Sequence, residues 1–136
     1  MSCRYRSNFS FRYWFYMTGV GITPPGATAS TLLTPVGMQQ AVFPDSGSTF
    51  CYLPAFIFNA LIAYFPNPVA MGGGLYTVDC SLRQEAGTID FTFGNTTIHV
   101  SYYEFLWFDG VECWFAAQAV TNTFLLGGLY FFLKTI

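Results

Sequence analysis

Residues 40–54 read Gln40-Ala41-Val42-Phe43-Pro44-Asp45-Ser46-Gly47-Ser48-Thr49-Phe50-Cys51-Tyr52-Leu53-Pro54, and the reading of the fold turns on them. A short apolar strand, Gln40 to Phe43, breaks into a Ser/Gly turn. Pro54 then opens a helix whose Ile57, Phe58, Leu61, Ile62 and Phe65 recur at a 3.6-residue period, and Pro66-Asn67-Pro68 stops it. Asp45 is the one formally charged side chain between Tyr13 and Val78. A carboxylate in such apolar surroundings needs donors, and the hydroxyls of Ser46, Ser48 and Thr49 with the backbone of Gly47 can supply them. Gly47 also lets the backbone approach a reacting group closely. Taken by themselves, these residues favour the simpler reading, a turn aspartate bonding its own backbone.

Working outward, residues 10–23 are aromatic and β-branched and read as strand, ended by Pro24-Pro25-Gly26 and a loop reaching Thr34. On the other side, the loop Met71-Gly72-Gly73-Gly74 leads into a strand from Leu75 to Cys80. The clearest local signal follows. Ile89, Phe91 and Phe93 alternate with polar residues, Gly94-Asn95 turns, and Ile98, Val100 and Tyr102 alternate again, which predicts a β-hairpin with one apolar face. Short strands are expected at Val111 to Ala117, Phe124 to Leu126 and Tyr130 to Ile136. His99 is out of phase with Ile98 and Val100 and belongs on the less apolar face, as a solvated or hydrogen-bonded side chain. A nucleophilic Cys51 paired with His99 is the remote alternative to a buried, inert Cys51.

The chain has 136 residues, 53 % hydrophobic, 21 % aromatic and 9 % charged, with a net charge of −2. Mean hydropathy is +0.42 and the isoelectric point is near 5.0. This is enough chain for one domain with a real core, and its composition excludes a disordered tail. No basic patch exists to hold a nucleic-acid backbone. The longest apolar runs, 55–65 and 124–133, fall short of the roughly 20 residues a spanning helix needs, so no transmembrane segment is expected. The excess of apolar surface for so small a chain points to a missing partner or lobe. One histidine without a Cys-x-x-Cys pair argues against a metal site, and no cofactor is expected. Gly72-Gly73-Gly74 precedes a strand and lacks a Lys-Ser/Thr, so it is no phosphate loop. Two N-glycosylation sequons, at Asn8 and Asn95, and four cysteines without metal spacing lean towards an oxidising compartment. Counting alone allows three pairings of the cysteines.

The order of these segments changes the reading of Asp45. Apolar strand, Asp45-Ser46-Gly47-Ser48-Thr49, Tyr52-Leu53-Pro54 and amphipathic helix resemble the carboxy-terminal lobe of pepsin-like aspartic proteases (peptidase family A1). So do Gly74-Leu75-Tyr76-Thr77-Val78-Asp79-Cys80, Phe91-Thr92-Phe93-Gly94-Asn95, Cys113, and Phe124-Leu125-Leu126-Gly127. Upstream, Tyr13-Trp14 and Thr18-Gly19-Val20-Gly21-Ile22 fit the strand that opens that lobe. The resemblance covers nearly the whole chain. It implies a mostly β, double-psi-type lobe with one or two short helices, residues 1–136 being one lobe of a bilobal fold and a fragment truncated at both ends.

The resemblance further implies an aspartic endopeptidase acting on polypeptide at acidic pH, with water activated between two aspartates, one of them Asp45. Ser46 would brace the two active-site loops, Ser48 would hydrogen-bond the carboxylate, and Thr49 would lie near the bound peptide. Leu125, Leu126 and Gly127 would pack beside the catalytic loop, and Cys80 and Cys113 would form the lobe's disulfide. The protein would be secreted, vacuolar or lysosomal, with its leader outside this chain. The sequence holds one such aspartate: Asp79, Asp90 and Asp109 lack the motif, so the second must come from a missing amino-terminal lobe, in the same polypeptide or a second chain. Pro44 before the aspartate, Ser101 in place of a frequent proline, Gly128 in place of an aspartate and the faint echo over 129–136 depart from the family pattern. They support the alternative, a catalytically inactive single-lobe relic with a structural or peptide-binding role.

Overall fold

A computed structural model of the chain describes residues 15–42 and 51–120. The alternation around Gly94-Asn95 folds as expected. Strand β8 (Thr88–Phe93) and strand β9 (Thr96–Ser101) pair antiparallel, with Phe93 opposite Thr96 across a two-residue turn. Gly94, the first turn residue, has φ +66°, a conformation that glycine adopts without steric cost. Ile89, Phe91 and Val100 are buried and Phe93 and Ile98 half-buried, so one face of the hairpin lies on the core. Tyr102 departs from the strand expected there. It opens a one-turn helix, α2 (Tyr102–Phe105), because Ser101 caps it by accepting from the Glu104 N–H at 3.2 Å.

The strand read over 10–23 is two strands within the described residues, β1 (Phe15–Met17) and β2 (Gly19–Thr23). Strand β2 is joined on one side by β8 and on the other by β3 (Thr31–Leu32), a two-residue strand in what the sequence presents as loop. The sheet order is therefore β3-β2-β8-β9. Val20 and Ile22 point into the core, while Gly21 admits β3: a Cβ there would come within 2.7 Å of Ser30 Oγ and 2.8 Å of Thr31 O. Strand β1 pairs with β4 (Gln40–Val42).

Strand β5 (Cys51–Pro54) runs directly into helix α1 (Ala55–Ile62). Pro54 suits this junction, since its fixed φ fits the helix entry and its missing N–H costs no helical hydrogen bond. Ile57, Phe58 and Leu61 are buried on the predicted face, and Phe65 follows them into the core after the helix has ended. Burying each such side chain contributes about 1.5–3 kcal/mol. The loop expected at 71–74 is instead the tip of a hairpin. Strand β6 (Val69–Gly72) pairs with β7 (Leu75–Val78), and Gly72, Gly73 and Gly74 all take positive φ to make the reversal. After Val78 the chain tightens into a 3₁₀ turn, Cys80–Gln84, so the predicted strand stops short of Cys80.

Strand β10 (Leu106–Phe108) and strand β11 (Cys113–Phe115) complete the sheet β10-β11-β7-β6. Cys80 and Cys113 form the disulfide that the resemblance implies, with a sequence separation of 33. Closing a loop of that size stabilises by about 3–4 kcal/mol on the chain-entropy account. Strand β12 (Ala117–Val120) pairs parallel with β5. The architecture is mostly β, as expected for a pepsin-like lobe. Among the described residues no helix is long and apolar enough to cross a membrane.

Aromatic rings fill the centre. Phe115 is fully buried and meets Phe58, Phe65 and Phe105 with centroids 5.5, 5.2 and 5.1 Å away, each near edge-to-face. Tyr102 lies 4.9 Å from Phe65 and presses its ring flat against Gly87, where a Cβ would come within 2.6 Å. Gly87→Ala should therefore cost about 1–3 kcal/mol, because a ring that is 2 % exposed has nowhere to retreat. Urea denaturation of the two proteins checks this; an unchanged midpoint would show that the Tyr102 ring is free to shift.

Candidate active site

The Asp45 motif, residues 45–49, lies outside the described residues, as do Leu125, Leu126, Gly127 and Asn8. The structure shows the elements to which these segments are joined. Strand β4 leads towards Asp45, and β5 with α1 leads away from it. Strand β12, which precedes Leu125, is the direct neighbour of β5: Ala117 stands opposite Cys51, Gln118 opposite Tyr52, Ala119 opposite Leu53 and Val120 opposite Pro54. The Cys51 N–H donates to Ala116 O at 2.9 Å, extending the contact by one residue. The two motif-bearing stretches, 70 residues or more apart in sequence, are thus tied to adjacent strands of one parallel pair. Parallel pairing needs a long crossover, which here includes the α1 helix and the β6–β7 and β8–β9 hairpins.

The floor of this strand pair is apolar. Cys51, Leu53, Ala116 and Ala117 are buried, and α1 packs on β12. Cys51 is disulfide-bonded, which removes it as a nucleophile. His99 stands on β9 and bonds Asp90, so the remote pairing of Cys51 with His99 is not formed.

The remaining aspartates of the described residues have structural work. Asp79 Oδ1 accepts from the Ser81 N–H at 2.9 Å and caps the 3₁₀ turn, and these bonds hold its carboxyl below the usual range. Asp109 Oδ1 accepts from the N–H groups of Glu112 (2.7 Å) and Val111 (2.8 Å), and its Oδ2 from Trp114 Nε1 (2.8 Å). Those donors, Glu112 first, lower its pKa. Asp90 is 2 % exposed. Its Oδ1 accepts from Thr88 Oγ1 at 2.7 Å and from His99 Nδ1 at 2.6 Å; its Oδ2 accepts from Thr23 Oγ1 at 2.8 Å and Ser30 Oγ at 2.6 Å. Burial works to raise this carboxyl, but the four hydrogen bonds outweigh it and leave the pKa below its ordinary value.

Sequence reasoning did not single out the Asp90 cluster. Part of it was legible, because a two-residue turn at 94–95 sets Asp90 opposite His99 on the polar face of the hairpin. Thr23 and Ser30 come from a distant hairpin and leave no local signal. Asn95 is exposed at the hairpin tip, where a sequon is accessible.

Comparison with known proteins agrees with this geometry. The family of eukaryotic aspartyl proteases matches residues 12–135. Candidapepsin-2 of Candida parapsilosis is 40 % identical over 57 residues, a stretch that covers 40 % of this chain and 14 % of that protein. The matched stretch is therefore well under two thirds of that relative's length.

Proposed function

The chain belongs to the eukaryotic aspartyl protease family, and from that premise we propose that it is one lobe of an aspartic endopeptidase in which Asp45 supplies one of two catalytic carboxylates. The observation that carries this reading is the parallel pair β5–β12, which joins the Asp45-Ser46-Gly47 segment and the Leu125-Leu126-Gly127 segment to neighbouring strands in a chain matched by the family almost end to end. In this mechanism a water lies between Asp45 and a second aspartate from an amino-terminal lobe. The ionised carboxylate takes one proton from the water, and the protonated carboxyl hydrogen-bonds the carbonyl oxygen of the scissile bond. The water oxygen bonds to the carbonyl carbon, the C–N bond breaks, and the departing nitrogen receives a proton from the dyad. Two carboxyls this close share one proton over a range of acidic pH, which sets the working range of the pair.

In this proposal Ser46 would brace the facing loops, Ser48 would hydrogen-bond the Asp45 carboxylate, and Thr49 would lie beside the substrate, with Leu125, Leu126 and Gly127 supporting the loop by packing. The substrate is polypeptide, cut internally. The Cys80–Cys113 disulfide agrees with an oxidising compartment, and in this reading the protein is secreted or enters a vacuolar or lysosomal lumen, with Asn8 and Asn95 as glycan acceptors.

A polypeptide joining this chain to a lobe with its own Asp-Thr/Ser-Gly is expected to cut a denatured protein at internal bonds between about pH 3 and 5, while the chain alone does not. Product masses read the result. Folded protein of both lobes with no cleavage in that range would overturn the proposal and favour the inactive relic.

A further inference from the structure

Asp90 takes no part in the chemistry above, yet it sits at the junction of three chain segments. Thr23 ends β2, Ser30 immediately precedes β3, and Asp90 Oδ2 holds both hydroxyls, so one carboxylate oxygen grips the two ends of the loop over residues 24–29. Its other oxygen is held by Thr88 on its own strand and by His99 on β9. The four acceptor positions of a carboxylate are thereby filled, leaving none for a ligand in the pocket of about 280 Å³ that Asp90 borders with Gly21, Leu32 and Thr97. The arrangement suits fastening rather than recognition. What it fastens is a short edge segment whose other anchor lies at its far end, where the Leu33 N–H donates to Val20 O at 2.8 Å and the Val20 N–H to Thr34 Oγ1 at 3.2 Å. Residues 25–32 are exposed, β3 is two residues long, and among the described residues it pairs on one side only.

We infer that Asp90 is an acid-released latch: ionised, it fastens the loop over residues 24–30 and the adjoining strand β3 against the sheet, and protonated, it lets that segment lift from β2. An ionised carboxylate only accepts, so three hydroxyls and the imidazole N–H can all donate to it. A protonated one must itself donate and loses part of that set. His99 does not open the latch. Against an ionised carboxylate its Nδ1 can only donate, so this side chain, 58 % exposed, belongs to the closed set of donors. The other titratable groups around the site are Tyr102 on α2 and, beyond it, Glu85. The Tyr102 phenol is pushed up to about 12, first by burial and then by the charges of Glu85 and Asp90, so it stays neutral in acid.

The sign follows from the direction of the Asp90 shift. A carboxyl whose folded pKa is depressed stabilises fully above its unfolded value, about 3.9, and that contribution is lost as pH falls through the lower folded value. The latch therefore stays closed through mild acid and opens in strong acid.

Backbone hydrogen–deuterium exchange on the whole chain, from pH 6 to pH 2 and corrected for intrinsic rates, tests this. The β6–β7 hairpin, residues 69–78, serves as internal control. Protection over residues 24–34 is expected to fall by roughly 10-fold or more below the ordinary carboxylate range while the control holds. Ser30→Ala should raise exchange over 24–34 by roughly 10-fold already at pH 6, and Asp90→Asn should abolish the pH step. If Asp90→Asn unfolds the chain, seen as lost control protection, Ser30→Ala decides, because it removes one hydroxyl from an exposed loop. Unchanged protection over 24–34 in acid, loss of both segments together, or wild-type protection in Ser30→Ala would each overturn the latch. No step of the experiment reads hydrolysis, so it stands apart from the role of Asp45.

Discussion

Phe115→Ala is expected to lower stability by about 3–5 kcal/mol, the range for deleting a fully buried aromatic side chain. The size follows from position. Phe115 is the last residue of β11, is 0 % exposed, and is touched edge-on by three rings from three parts of the chain: Phe58 of α1, Phe65 after it and Phe105 of α2. Collapse around the void is hindered because β11 is fixed on both sides, by β7 and β10, and at Cys113 by the disulfide. Such a loss is a large share of the stability of an ordinary domain, so the variant should show a much lower urea midpoint with an unchanged slope. By contrast Val111→Ala, at a residue 81 % exposed, should leave stability within about 0.5 kcal/mol of the wild type. Equal midpoints for Phe115→Ala and the wild type would mean that the aromatic cluster is not the centre of the core.

How much of this was legible depended on whether the signal was local. The β8–β9 hairpin was readable because alternation, a Gly-Asn turn and register all agree on one face. Helix α1 was readable because Pro54 and Pro66 bracket an apolar 3.6-residue period. Two of the departures from the expected strands carry local cues. Ser101-Tyr102-Tyr103-Glu104 carries the spacing of a helix capping box, and Ser101 does cap α2, but the run of alternation before it argued for more strand. Asp79 followed by Ser81 is likewise a local cap, and it turns the chain before Cys80 can extend β7. Strand β6 had no such cue. Val69, Ala70, Met71 and Gly72 are all exposed on a sheet edge, so no buried face imposes an alternation.

The site divides in the same way. The disulfide came from resemblance and not from spacing, since counting left three pairings open, and the structure forms Cys80–Cys113. The parallel register of β5 and β12 could not be read from either strand alone, because a pairing across a crossover of more than 60 residues is a property of the whole topology. The Asp90 latch was half visible, through Asp90 opposite His99, and half hidden in Thr23 and Ser30.

Asp45→Asn carries the largest functional effect, a loss of acid peptide hydrolysis of about 10⁴-fold or more, the scale seen when a member of a catalytic set is removed. That is about 5.5 kcal/mol of transition-state stabilisation at 1.36 kcal/mol per decade. An amide in that position neither accepts the proton of the water nor shares a proton with the opposing carboxyl, so both halves of the chemistry fail together. The substitution is nearly isosteric, so the fold should survive it. Near-ultraviolet dichroism of the aromatic core gives the amount of folded protein against which rates are compared. The most direct measurement is the initial rate of internal cleavage at about pH 4 by the two-lobe polypeptide, wild type against Asp45→Asn, at equal folded concentration. The account predicts cleavage by the first and none above background by the second. Equal rates would contradict it and remove Asp45 from the chemistry.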